Sequence, residues 1–104
     1  MTERVAIIGT GFIGRAWAIS FARAGWNTSL WDPQPAAVES CLNTVGELLE
    51  DLAAQGLLGN KSSQTVQARI RPSGDLQAAL ADASWVQENA PEVFRREVRA
   101  LGRA

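Results

Sequence analysis

Three glycines set the first chemical expectation. Gly9, Gly11 and Gly14 fall in the order G-x-G-x-x-G within the run Gly9-Thr10-Gly11-Phe12-Ile13-Gly14. This spacing suits the grip of a diphosphate. The first glycine turns the chain sharply, the second lets backbone approach an anion, and the third lets a helix pack closely on a strand. The free N–H groups of the helix's first turn then face the anion, and the helix dipole adds to their pull. A glycine-rich turn that served packing alone would show the same letters, so the surroundings decide. Arg4-Val5-Ala6-Ile7-Ile8 leads into the turn as a short, β-branched, apolar run, as expected of a parallel strand buried on both faces. Helical spacing takes over at Phe12 and runs to Ala24.

The second chemical residue is a carboxylate. Asp32 lies 18 positions after Gly14, at the end of the next strand-like run, Asn27–Trp31. The expected spacing for an acid that reads a ribose is about 20. A carboxylate there accepts hydrogen bonds from an unmodified ribose diol and repels a 2′-phosphate. No Arg or Lys follows at once, so the pattern predicts NAD rather than NADP. Asp32-Pro33 is also a turn-forming pair, and the two roles are compatible. Trp17, Trp26, Trp31 and Trp85 read most simply as packing residues, although Trp31, beside Asp32, could also flank an adenine.

What the chain lacks is equally informative. It has no His and no Tyr, Lys61 is its one lysine and Cys41 its one cysteine. An imidazole base, a phenolic acid and a Ser-His pair are therefore excluded, and a metal site is not expected. Cys41 lies between apolar positions of a helix and reads as a buried, inert thiol. A single cysteine fits a reducing cytoplasm. With a net charge of −1 there is no basic excess for a phosphate polymer, so nucleic-acid binding is not expected. No apolar run approaches the roughly 20 residues that span a bilayer, and Met1–Arg4 does not resemble a secretory leader.

These residues need a frame. From Phe12 to Ala24, the residues Ile13, Ala16, Trp17, Ser20, Phe21 and Ala24 are expected to face a sheet. Pro35–Gln55 reads as a long amphipathic helix with a stripe of Val38, Leu42, Val45, Leu49 and Leu52. Asn60–Gln67 is polar, with room for a short helix from Ser63. Arg69–Pro72 is a weak strand, Leu76–Ala81 a helix capped by Asp75, and Ser84–Gln87 a strand. Val93–Ala104 reads as an Arg-rich helix. The order β-α-β-α-β-α-β-α predicts an α/β fold, a partial Rossmann domain with a doubly wound parallel sheet.

The run Val5 to Ala18 resembles the start of the 3-hydroxyacyl-CoA dehydrogenase family, and Gly14-Arg15-Ala16-Trp17-Ala18 is similar to its lambda-crystallin branch. The later run Asp82-Ala83-Ser84-Trp85-Val86-Gln87-Glu88-Asn89-Ala90-Pro91-Glu92 also resembles that family. The resemblance implies NAD-dependent oxidation of a secondary alcohol, on a 3-hydroxyacyl-CoA or a sugar acid such as L-gulonate. It implies a place for Glu92 beside the cofactor; a first-turn acid favoured by a helix dipole explains Glu92 equally well. Where the family carries a Lys soon after this Glu, the chain has Glu97, with Arg95 and Arg96 close by.

The family's catalytic His, with its paired Glu, has no counterpart in this chain, so no catalytic residue is carried over. Residues 1–104 are thus expected to form a single, incomplete NAD-binding domain without its catalytic partner domain. Three readings follow: an N-terminal fragment of such an oxidoreductase, a module completed by a partner chain, or a non-catalytic remnant.

Overall fold

The computed structural model describes residues 3–89. They form strand β1 (Arg4–Ile8), helix α1 (Phe12–Arg23), β2 (Asn27–Trp31), α2 (Pro35–Ala54), α3 (Ser63–Gln67), β3 (Ile70–Pro72), α4 (Leu76–Ala81) and β4 (Trp85–Glu88). The four strands make one parallel sheet in the order β3-β2-β1-β4. The α/β expectation holds, with strand and helix boundaries within one residue of those read from the sequence for most elements.

β1 is central because its sequence tolerates nothing else. Val5, Ala6, Ile7 and Ile8 are all buried, and both faces of the strand are covered. Val5 and Ile7 join Leu30, Val38, Cys41, Val45 and Leu49 in the core beneath α1 and α2. Ala6 and Ile8 pack on the opposite face with Leu76, Ala79 and Leu80 of α4.

The face of α1 that meets the sheet differs from expectation. Gly14, Ala18 and Ala22 are the buried residues of the helix. Ile13 is 61% exposed, and Trp17 and Ala16 also face outward. The reason is steric. Small residues at four-residue spacing bring the helix axis close to β1, and larger apolar neighbours are displaced to its flanks. A Cβ added at Gly14 would collide with the Gly9 carbonyl. Trp85 departs from the packing role too: it is 55% exposed on β4. Phe21 and Trp26 behave as expected, edge to face at 5.0 Å between ring centroids.

The two ends of α1 are treated differently. At its C-terminus, Arg69 Nη1 donates to the Ala22 carbonyl at 2.7 Å and Lys61 Nζ to the Arg23 carbonyl at 3.1 Å. These cations suit the negative end of the helix dipole. At its N-terminus, Gly11 offers no side-chain cap, and the first turn holds no acidic residue. The positive end is left open, at the C-terminal edge of the sheet.

Candidate functional site

The parallel register places the site. Ile8, the last residue of β1, pairs with Trp31 of β2 on one side and Glu88 of β4 on the other. Gly9 extends the first pairing, its N–H donating to the Trp31 carbonyl at 2.8 Å; the Asn89 N–H donates to the Ile8 carbonyl at 2.7 Å on the other side. The glycine turn therefore leaves the sheet between Asp32 and the Glu88–Asn89 pair. The chain runs outward from β1 through β2 to β3, then crosses back to β4. The reversal lies between β1 and β4, where open parallel sheets form their ligand crevice.

Each glycine of the turn has a separable reason. Gly9 has φ +94°, a left-handed conformation that glycine adopts without steric cost. Gly14 is required by the close approach of α1 to β1. Gly11 is different: its φ of −71° suits any residue, and a Cβ there would meet nothing within 4 Å. Neither backbone geometry nor internal packing demands a glycine at 11. What a side chain there would fill is open space above the N-terminus of α1.

Donors face that space. The N–H groups of Phe12, Ile13 and Gly14 belong to the first helical turn and find no acceptor among the described residues. Phe12 is 84% exposed and stands with Ile13 at the rim. These two residues and Gly11, Gly14, Glu88 and Asn89 line a pocket of about 380 Å³.

Thr10 turns inward. It is buried, and both its N–H and its hydroxyl donate to Asp32 Oδ2, at 2.8 Å and 3.1 Å. The Gln34 N–H donates to Asp32 Oδ1 at 2.9 Å. The carboxylate is thus fixed by three protein donors, and a carboxylate accepts about four hydrogen bonds in all. One acceptor position on Oδ1 remains. Asp32 also borders a second pocket, of about 470 Å³, with Trp31, Pro35, Val38, Pro72 and Gly74. Its size and largely apolar walls fit a small-molecule site.

Two residues with no role in the sequence-based expectation also stand at this edge. Glu88 and Asn89 flank the glycine turn from β4. Glu92 and the helix expected over Val93–Ala104 lie outside the described residues. Arg15 of α1 is a further arrival: it sits beside the Cys41 thiol of α2, which also feels the Asp32 charge. Cys41 is fully buried, as expected, and burial pushes its thiol above the ordinary value; Arg15 pulls against that shift and Asp32 adds to it. Among the described residues no group of His, Cys, Asp and Glu could hold a metal ion, and no helix is long and apolar enough to cross a membrane.

Fold and site together define a class: the opening part of a Rossmann-type dinucleotide-binding domain. Residues 4–98 match the family described as "3-hydroxyacyl-CoA dehydrogenase, NAD binding domain". The chain belongs to that family, and its cofactor is NAD. L-carnitine dehydrogenase of Streptomyces griseus is 38% identical over 90 residues, which cover 86% of this chain and 26% of that protein. A lambda-crystallin homolog of Bos taurus is 36% identical over 89 residues, 85% of this chain and 28% of that protein. The solved 3-hydroxybutyryl-CoA dehydrogenase of Escherichia coli K12 superposes with a TM-score of 0.79 at 26% identity, covering 93% of this chain and 20% of that one. The chain spans about a quarter of the length of the curated relatives it matches.

Proposed function

We propose that this chain holds NAD for the oxidation of a secondary alcohol to a ketone. The backbone N–H groups of Phe12, Ile13 and Gly14 receive the pyrophosphate over Gly11, and Gly9 shapes the turn beneath it. Asp32 offers its remaining Oδ1 acceptor to the adenosine ribose, and Thr10 acts through Asp32 by fixing its orientation. The pocket bordered by Trp31 and Pro72 receives the adenine. Glu92 enters on the family resemblance alone, as a neighbour of the cofactor. NAD supplies the hydride acceptor of the reaction.

The observation that carries this reading is Gly11. It has no conformational or packing need to be glycine, yet it stands where a side chain would block the open N-terminus of α1.

The named substrates of the relatives, carnitine and 3-hydroxybutyryl-CoA, each carry a hydroxyl on the third carbon counted from a carboxyl group or its thioester. A 3-hydroxy acid or its CoA thioester is therefore the substrate class, with a sugar acid such as L-gulonate as the lambda-crystallin alternative. With no His in its sequence, the chain supplies no imidazole to take the hydroxyl proton. Its part is cofactor holding, and proton removal falls to a catalytic domain, in the same polypeptide or a partner chain. Its one cysteine, buried and free, accords with a place in the cytoplasm.

Isothermal titration calorimetry of the chain with NAD and with NADP tests the reading. Saturable heat with NAD, and affinity for NADP lower by about tenfold or more, is expected from the Asp32 charge. No heat and no thermal stabilisation with NAD would overturn it.

A further inference from the structure

Three arginines converge at the end of the sheet that faces away from the glycine turn. Arg4 opens β1, Arg71 lies in β3 and Arg69 directly precedes β3. With Asn27, Thr28 and Ser29 of β2 they line a cavity of about 270 Å³. The length of β1, about 16 Å of extended chain, separates Arg4 from Gly9.

The register explains the convergence. Arg4 pairs with Asn27, Ala6 with Ser29, and Ser29 with Arg71. Side chains alternate along a strand, so Arg4, Asn27, Ser29 and Arg71 share the face of Ala6. Helix α4 covers Ala6 and Ile8 on that face. Arg4 and Arg71 are exposed, and Asn27 and Ser29 are half-buried. A parallel sheet is ordinarily apolar on both faces. Here the interior strand β2 carries Asn27 and Ser29 between two guanidinium groups, and core packing gives no reason for them.

The lining holds three guanidinium groups and no carboxylate. Like charges around one cavity repel, their fields add inside it, and an anion relieves the repulsion. Arg69 is held in place: its Nη1 donates to the Ala22 carbonyl at 2.7 Å, and further N–H donors of the fork remain. We propose that this cavity is an anion site for a phosphoryl group, either free phosphate or the phosphate of a small monoester. A phosphoryl dianion presents oxygens on several sides, whereas a carboxylate presents two in one plane. Guanidinium forks from β1, from β3 and from the turn before it, with the Ser29 hydroxyl and the Asn27 amide, match the phosphoryl group. The site lies apart from the NAD site and does not rest on that reading.

Calorimetry of the full 104-residue chain with excess NAD present tests the proposal. The probes are inorganic phosphate, methyl phosphate and acetate, in about 0.1 M NaCl, where charges more than about 10 Å apart are largely screened. Saturable one-to-one binding of a phosphoryl probe is expected, with acetate weaker by about fivefold or more. Tighter binding of methyl phosphate identifies a monoester as the ligand; tighter binding of inorganic phosphate identifies the free ion. R4Q and R71Q should each weaken the better phosphoryl probe by about fivefold or more. R23Q removes a cation outside the cavity lining and should stay within about twofold.

Absence of saturable binding for both phosphoryl probes overturns the proposal, as does acetate bound equally well. Equal losses in R4Q, R71Q and R23Q would mark diffuse electrostatics in place of a site. Phosphate binding that R4Q and R71Q leave unchanged would put the anion elsewhere. Should a variant fail to fold, amide NMR shifts of the unaltered chain decide. Shifts on adding phosphate are expected at Asn27–Ser29 and Arg69–Arg71, and shifts confined to other residues overturn the assignment.

Discussion

Asp32 Oδ2 takes two hydrogen bonds from one residue, the Thr10 N–H at 2.8 Å and the Thr10 hydroxyl at 3.1 Å. This contact ties the glycine turn to the end of β2, so the two parts of the proposed dinucleotide site are held in fixed relation before any ligand arrives. Asp32→Ala leaves the buried Thr10 N–H without its acceptor. Such a loss costs about 1–3 kcal/mol. The variant should melt several degrees lower, and its preference for NAD over NADP should fall by about tenfold, since the charge that disfavours a 2′-phosphate is gone. Thr10→Val removes only the hydroxyl bond. It should cost about 1 kcal/mol and weaken NAD a few fold with its preference over NADP intact. Paired thermal melts and titrations with both cofactors check this.

The close seating of α1 on β1 gives a prediction about stability rather than binding. A methyl group at 14 would press on the Gly9 carbonyl, which is backbone and cannot step aside cheaply. Gly14→Ala should destabilise the fold by about 3 kcal/mol or more. Ala18→Leu, one turn further along the same buried line, should cost about 1–3 kcal/mol. Ile13→Ser, on the exposed flank, should stay within about 0.5 kcal/mol of the parent. Urea titrations followed by Trp fluorescence rank the three; equal losses at 13 and 18 would contradict the assigned inner face.

Cys41 supplies the pH dependence. Burial raises its thiol above the ordinary 9.0. The folded chain therefore holds this proton more tightly than the unfolded chain does. The associated stability is fully present below pH 9 and is lost as pH rises through the higher folded value. With no Tyr and a single Lys in the sequence, few other side chains titrate in this window. Unfolding free energy should fall as pH rises above about 9, and Cys41→Ala should flatten that fall. A variant with the same slope as the parent would contradict a buried thiol as the cause.

The sequence made the strand-to-helix junction legible because each part of it has its own signature. Val5–Ile8 is apolar throughout, the glycines are spaced for the turn, and Asp32 closes the next strand. The inner face of α1 was hidden for a physical reason. Hydrophobicity points to Ile13 and Trp17, whereas the need for close approach selects Gly14, Ala18 and Ala22, whose small side chains carry little pattern. Glu88 and Asn89 gave no signal in one dimension, since only the pairing of β4 with β1 brings them beside a turn about 75 residues away in the chain. The placing of Arg15 beside Cys41 is likewise a product of how α1 and α2 pack.

We propose that Gly11 is glycine for a ligand's sake. Gly11→Ala separates this from every internal role, because nothing lies within 4 Å of the added methyl group. Calorimetry with NAD, alongside a thermal melt, is the decisive measurement. The expected result is a melt close to the parent, within about 1 kcal/mol, and NAD affinity reduced by about tenfold or more. A folded Gly11→Ala chain that binds NAD as tightly as the parent would show that Gly11 is not kept for the ligand.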